Sequence, residues 1–355
     1  MGSAKHNEIT ERLRREILSG KFRDGGEFPS GGQLAERFGV SRPTINRVML
    51  DLRNEGLVAT GSGRLPRLTR FAQHATGTLG IIHPGFQYGD VMSRICKSLV
   101  YHGERQGWDI VLIEMVEKSP EKRLEELIRT IHRFSEERVS GLFLQPFEYL
   151  GKKNAPVRNF WKELSECNMP VVLFDYNPQR NDGCPQYDLI SMDNVSAGAG
   201  LGRYLIAGGA EKLTFLLKPG SPPSVVNRMR GVASAVVESG MCWSEKDNVL
   251  VCEPDDRMAV SRFLRTRSPD VIVCGNDMIA VRLHEVLSSL GRAGAVRLAG
   301  FDNQPQAEEL GIASVAQPCE EIASIALQTL LARLHNPALP VHTVLVPDRG
   351  IVISK

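Results

Sequence analysis

The chain has 355 residues, 42% hydrophobic and 24% charged, enough apolar material for packed cores in two or three domains and too much for a disordered chain. The formal net charge is only +2, but residues 1–70 hold 13 Lys+Arg against 8 Asp+Glu while the remainder holds 30 against 33, so a polyanionic partner is expected for the first segment alone. Seven cysteines without a CxxC and eight scattered histidines exclude a disulfide framework and a zinc site.

No apolar run approaches the ~18 residues of a membrane span, and the N-terminal segment has no apolar leader core. The expectation is a cytoplasmic protein with no membrane partner, no metal and no cofactor.

In chain order, "NEITERLRREILSGKF" spaces Ile9, Leu13 and Ile17 four apart with arginines between them, which predicts an amphipathic helix. In "FPSGGQLAERFG", Ser30 and Gln33 form a reciprocal capping pair for a second helix, with Leu34, Ala35 and Phe38 inside and Gly39 as its stop. "VSRPTINRVMLDLRNEG" is a third helix, with Ser41 as cap, Pro43 in its first turn and Ile45, Val48, Met49 and Leu52 as the buried stripe. "LVAT-GSGR-LPRLT" then reads as two short strands around a glycine-rich tip.

Together these predict a winged helix-turn-helix over residues 1–70 that binds double-stranded DNA. Its third helix would lie in the major groove. Arg42, Thr44, Asn46 and Arg47 are the polar residues near the end that meets base edges. Arg64 at the wing tip is placed to reach phosphate or the minor groove.

Residues 7–70 resemble the N-terminal domain of the GntR family of bacterial transcription regulators. The resemblance rests on Pro29-Ser30, Leu34-Ala35, "FGVSRPT" at 38–44, Leu52, "EGL" at 55–57 and "GSGR" at 61–64. It implies that Arg42 takes the family's main contacting arginine position and Gly63 that of the wing glycine. Ser30, Ser41, Arg42, Thr44, Asn46, Arg47, Gly63 and Arg64 are the DNA-binding candidates. Gly31-Gly32 stand where the family usually has an acidic then a polar residue, and Asn46 where many members carry arginine. The family's operator sequence is therefore not carried over.

A connector over 71–77 precedes an alternating series. "TLGIIH", "WDIVLIEM", "VSGLFLQ", "MPVVLFD", "YDLISM", "KLTFLL", "NVLVC", "PDVIVCG" and "VRLAGFD" are near-continuous apolar runs separated by helical stretches. They predict parallel sheets covered on both faces. Nine strands are too many for one open sheet, so 78–355 should form two subdomains, split near 177–187. The glycine-rich "GAGLG" at 198–202 falls inside a helix. With no GxGxxG after a first strand, no GxxxxGK[ST] and no GxSxG, no nucleotide-binding or hydrolase motif is present.

Ligands of such sheets bind beyond the carboxyl ends of the strands. There stand His83, Phe86, Gln145, Asp175, Tyr176, Asn276-Asp277 and Asp302-Asn303. Their short amides and carboxylates, with flat rings beside them, suit a small polyhydroxylated ligand. The competing reading is local: Asn276 or Asp277 would simply cap the next helix, as Asp193 or Asn194 would.

The same half resembles the effector domain of the LacI family and periplasmic sugar-binding proteins. The likeness rests on 191–216, "NRMRGVASAVVESG" (227–240), 271–291, "VRLAGFDN" (296–303) and 312–331. It implies a two-subdomain type I periplasmic-binding-protein-like α/β fold. It gives Arg228 the role of ligand clamp, Asn276, Asp302 and Asp175 pocket positions, and Gln317 a hinge-side position. The effector candidates are thus His83, Phe86, Asp175, Arg228, Asn276, Asp302 and Gln317.

A GntR-like unit ahead of a LacI-like half is the arrangement of arabinose-type repressors. The expected protein is a ligand-responsive regulator, a repressor of carbohydrate genes that acts as a homodimer and is not an enzyme. The alternative is an α/β enzyme acting on a small sugar.

Overall fold

The computed structural model describes residues 2–18, 22, 28–54, 57–59, 66–68, 77–83, 85, 90–117, 119–178 and 187–353. The first three helices are α1 (Gly2–Leu18), α2 (Gly31–Phe38) and α3 (Arg42–Asn54). They close around Ile9, Leu13, Ile17, Leu34, Ile45, Val48 and Leu52, as the spacing predicts, and around Phe28; Ala35, Phe38 and Met49, also expected inside, are half-buried.

Ser30 makes both halves of the capping box with Gln33. Gly39 ends α2 at φ 61, a left-handed turn that favours glycine. Ser41 behaves differently from expectation. Its hydroxyl meets the Thr44 hydroxyl at 2.9 Å, and the Thr44 N–H is taken by the Ser41 carbonyl. Strands β1 (Val58–Ala59) and β2 (Arg67–Leu68) pair antiparallel as the stem of the wing.

The remaining chain forms two six-stranded sheets. In the first lobe, β3 (Thr78–His83), β4 (Asp109–Glu114), β5 (Gly141–Leu144), β6 (Val171–Phe174) and β7 (Asp188–Met192) are all parallel. They are linked by α4 (Asp90–Arg105), α5 (Pro120–Glu136) and α6 (Ala155–Glu166).

The second lobe starts with α7 (Asn194–Ala207), β8 (Leu213–Leu217) and α8 (Pro223–Glu238). The short α9 (Glu245–Asn248), β9 (Val249–Val251), α10 (Arg257–Arg267) and β10 (Val271–Cys274) follow. Then come α11 (Asp277–Ser289), β11 (Arg297–Phe301), α12 (Pro305–Glu309) and β12 (Ala313–Val315).

The chain returns through α13 (Cys319–His335), which packs on α4 and on β5, β6 and β7. Strand β13 (Thr343–Val346) completes the first sheet in parallel with β7. Strand β14 (Ile351–Val352) completes the second, antiparallel to β12.

All nine apolar runs are strands. Strands β12, β13 and β14, two to four residues long, are not among the runs read from the sequence. The expected division at 177–187 needs correction. β7, just beyond it, pairs with β6 in the first sheet, so the chain leaves that lobe only after Met192. It crosses again at α13 and between β13 and β14, and one cut cannot separate lobes joined three times.

The "GAGLG" glycines lie within α7. A Cβ on Gly198 would sit 2.1 Å from the Arg228 carbonyl oxygen, and one on Gly231 equally close to that of Val195. The glycines therefore let α7 and α8 touch backbone to backbone, and that contact places the Arg228 side chain.

Candidate functional site

A cavity of about 730 Å³ lies between the two lobes, within the range of small-molecule sites. Its buried floor centres on Arg228, the sixth residue of α8. Arg228 Nε donates to Asn194 Oδ1 at 2.8 Å and Nη1 to the Gly275 carbonyl at 2.7 Å. Its guanidinium lies 4.6 Å from the centre of the Phe301 ring and 3.7 Å from Asp302 Oδ1. Gln317 Nε2 donates to that same carboxylate oxygen at 2.6 Å. Burial pushes the Asp302 carboxyl up from its ordinary value, against Arg228 and Gln317, which pull it down.

Asp175 lines the facing wall from the end of β6. Ser224 Oγ donates to Asp175 Oδ2 at 2.9 Å, and Ser191 Oγ to the Asp175 carbonyl at 2.8 Å. Arg94 on α4 donates to the Asp302 carbonyl. The Ser224 and Arg94 bonds run from one lobe to the other; Ser224, Asp175 and Asp302 line the cavity, and Arg94 lies outside its wall.

Asp175 and Asp302 have φ of 69° and 108°. Such backbone is strained by about 1–3 kcal/mol in non-glycine residues, and it clusters where ligands are held.

Asn276 satisfies both readings of its sequence position. Its Oδ1 accepts the Ile279 N–H at 2.9 Å as the cap of α11, and the residue lines the cavity. Asp277 does not line it. That fully buried carboxylate accepts from the Gln304 N–H and the Ser314 hydroxyl, each at 2.8 Å. Burial first, and then Asp302, raise it to about 7.

His83 is not in the cavity wall. It is buried at the end of β3, where Gly85 N–H donates to its Nδ1 at 3.0 Å, and burial holds its pKa below the ordinary value, with Glu114 acting in the opposite sense. Phe86 lies outside the described residues. Asp193 caps α7 through Ser196 N–H, as the local reading holds.

The structure adds residues to the effector candidates, of which the sequence reading places only Gln145 at a strand end. Asn194 sets the angle of Arg228. Gln145, the first residue after β5, lines the cavity with a buried Oε1 that has no hydrogen-bond partner among the described residues. The rule that found Asp175 reaches Gln145. No sequence signal points to Arg123, Lys152 or Arg282, which line the cavity from α5, the β5–α6 connection and α11.

On the winged helix, Arg42, Asn46 and Arg47 are exposed, Thr44 is half-buried, and Ile45 and Val48 point inward. Leu50, 55% exposed, lies one turn beyond Asn46 and is an apolar candidate for a thymine methyl. A Cβ at Gly32 would be 3.8 Å from Arg42 Nη2 and 3.9 Å from Ser30 Oγ. The start of α2 and the Arg42 guanidinium therefore form one polar corner. Gly63 and Arg64 lie outside the described residues.

A helix-turn-helix with a β-hairpin, ahead of a two-lobed α/β domain holding a polar cleft, defines a DNA-binding module joined to a ligand-binding one. Residues 5–64 match the family model of bacterial regulatory proteins, gntR family. Residues 203–353 match that of the periplasmic binding protein-like domain.

Over 349 residues the chain is 24% identical to the arabinose metabolism transcriptional repressor of Geobacillus stearothermophilus, covering 94% of this chain and 92% of that one. Among solved structures, the transcriptional regulator CelR–cellobiose complex superposes with a TM-score of 0.64 at 19% identity, over 92% of this chain and 99% of the other. A LacI family transcriptional regulator from Enterococcus faecium with bound ribose does so at 0.59 and 18%, over 78% and 97%.

The chain is thus a gntR-type DNA-binding domain followed by a periplasmic-binding-protein-like domain. These relatives are transcriptional regulators, and none is an enzyme. Among the described residues no helix is long and apolar enough to cross a membrane.

Proposed function

We propose that this chain is a cytoplasmic, sugar-responsive repressor of carbohydrate-utilisation genes. Residues 1–70 read operator DNA, 71–77 connect, and 78–355 bind the effector and form a homodimer. The observation that carries the reading is the convergence of Asp175 from one lobe with Arg228, Asn276 and Asp302 from the other on a single cavity. An arginine fork and short amides and carboxylates are the groups that hold vicinal hydroxyls. The arabinose repressor relative, and the cellobiose- and ribose-bound structures of similar fold, support a sugar.

The effector acts by binding one lobe closure more tightly than the other. Its influence on DNA equals that difference in affinity. In a dimer, closure changes the spacing of two winged helices set for two half-sites.

The test is a gel-shift titration of the full chain on the DNA flanking its own gene, with and without a panel of sugars. Specific retention that a sugar changes is expected, and retention indifferent to every sugar overturns the reading. In the same assay Arg42→Ala should weaken operator binding by about 1–3 kcal/mol with an unchanged melting temperature. Equal affinity would remove Arg42 from the interface.

A further inference from the structure

The floor and the outer end of the cavity differ in charge. Five cationic side chains line it, Arg123, Lys152, Lys218, Arg228 and Arg282, against three carboxylates, Asp175, Glu253 and Asp302. Two of the carboxylates are engaged deep in the cleft: the buried Asp302 with Arg228 and Gln317 on the floor, and the half-buried Asp175 with Ser224 on the facing wall. Lys218 lies 3.9 Å from Glu253 at the surface.

Lys152 and Arg282, both exposed, line the cavity from opposite lobes. Lys152 lies 4.5 Å from the centre of the Tyr149 ring. It adds a small pull to Glu121, whose carboxyl is lowered chiefly by a hydrogen bond to its own backbone and by Ser119. Arg282 has no hydrogen bond or ion pair among the described residues. Deeper in the first-lobe wall, Arg123 is buried, donates Nε to the Glu117 carbonyl at 2.8 Å and stacks on Phe147.

From this placement we infer that the effector is a sugar derivative with an anionic group, a phosphate or a carboxylate. Its hydroxyls lie on the Arg228–Asp302 floor and its charge lies between Lys152 and Arg282. Like charges on facing lobes oppose closure, and an anion between them reverses the sign of that interaction. Charge on the ligand thus becomes the device that draws the lobes together. The inference rests on the cavity being the effector site.

The test uses the full chain and isothermal titration in chloride buffer. One series is L-arabinose, L-arabinonate and L-arabinose 5-phosphate. The other is D-glucose, D-gluconate and D-glucose 6-phosphate. Orthophosphate serves as a probe that does not depend on the sugar. At least one anionic sugar should bind about 10–100-fold more tightly than its neutral parent, as expected for charge-assisted hydrogen bonds. The Lys152→Ala/Arg282→Ala double variant should bring that ratio to near one, leave the neutral sugar's affinity in place and abolish thermal stabilisation by orthophosphate.

The more tightly binding member of the two anions separates phosphate from carboxylate. A neutral sugar binding as tightly as its anionic partners overturns the inference and leaves the sugar sensor standing. An anionic preference that survives the double variant overturns the assigned residues. Binding of neither neutral nor anionic sugar, with no effect of orthophosphate, overturns both.

Discussion

The two lobes of the ligand-binding half are built to one plan and used differently. Their strand orders correspond, β13-β7-β6-β5-β3-β4 and β14-β12-β11-β10-β8-β9. The third strand of each ends in the same dipeptide, Phe174-Asp175 and Phe301-Asp302, and both aspartates adopt positive φ. Asp302 is fixed within a buried clamp of Arg228 and Gln317. Asp175 is half-buried and takes its side-chain partner, Ser224, from across the cleft. Under the function proposed above, the second lobe carries the ligand clamp and the first carries the groups that register closure. A repeated architecture fixes where a polar residue stands, and its neighbours decide what it does.

The sharpest way to break this comparison is Arg228→Ala. It removes the contacts to Asn194, Gly275, Phe301 and Asp302 at once and leaves the buried Asp302 without its nearest counter-charge, at a cost of about 3–5 kcal/mol in stability. Effector affinity should fall more than 100-fold, while the winged helix still binds operator at low temperature. Near-normal ligand titration would show that the clamp is structural.

The paired test is Asp302→Ala against Asp175→Ala. Losing the buried charged acceptor should cost about 1.5–3 kcal/mol of binding. The half-buried one should cost less and act more on the ligand's ability to release DNA. Equal losses in affinity and equal uncoupling would erase the difference between lobes.

A smaller effect separates the lobes by pH. Asp277, buried in the second lobe, has its carboxyl raised to about 7. The native state then holds a proton that the unfolded chain releases near the ordinary carboxylate value. The stabilisation from this proton is full below pH ~4 and is lost as pH rises through about 7, by at most about 1.4 kcal/mol per pH unit. Denaturant midpoints of the wild type minus Asp277→Asn should fall across that window. A pH-independent difference would mean that Asp277 stays ionised when folded.

The smallest effect concerns Asn276. Asn276→Ala should cost about 1 kcal/mol through the lost cap, and Asn276→Asp should restore it. If both variants bind ligand as the wild type does, capping is the residue's whole role.

The winged helix was legible because its logic is local. Ser30 and Gln33 are three residues apart, Gly39 is one residue past a helix, and the buried stripe repeats within each segment. The nine apolar runs declared the parallel sheets for the same reason. What escaped depends on distance along the chain. No pattern near Asp188 says that β7 belongs with β13, or that Arg123 and Arg282 face one cavity, because the lobes interleave through α13. Asn276 shows the remaining ambiguity: one side chain caps a helix and lines a wall, and both follow from standing at the end of a strand. His83 stands at such an end too, yet its ring turns to Gly85.

The late return of the chain to its first sheet also sets an order of assembly. Strand β13 is made about 150 residues after β7, which is roughly 8–30 s of translation at 5–20 residues per second. Until then the β7 edge of that sheet has no partner, although the helices that contact DNA left the ribosome long before. A nascent chain thus gains its reading head well ahead of a finished sensor. Limited proteolysis of chains stalled before and after residues 343–346 would show the first lobe becoming resistant only in the longer ones.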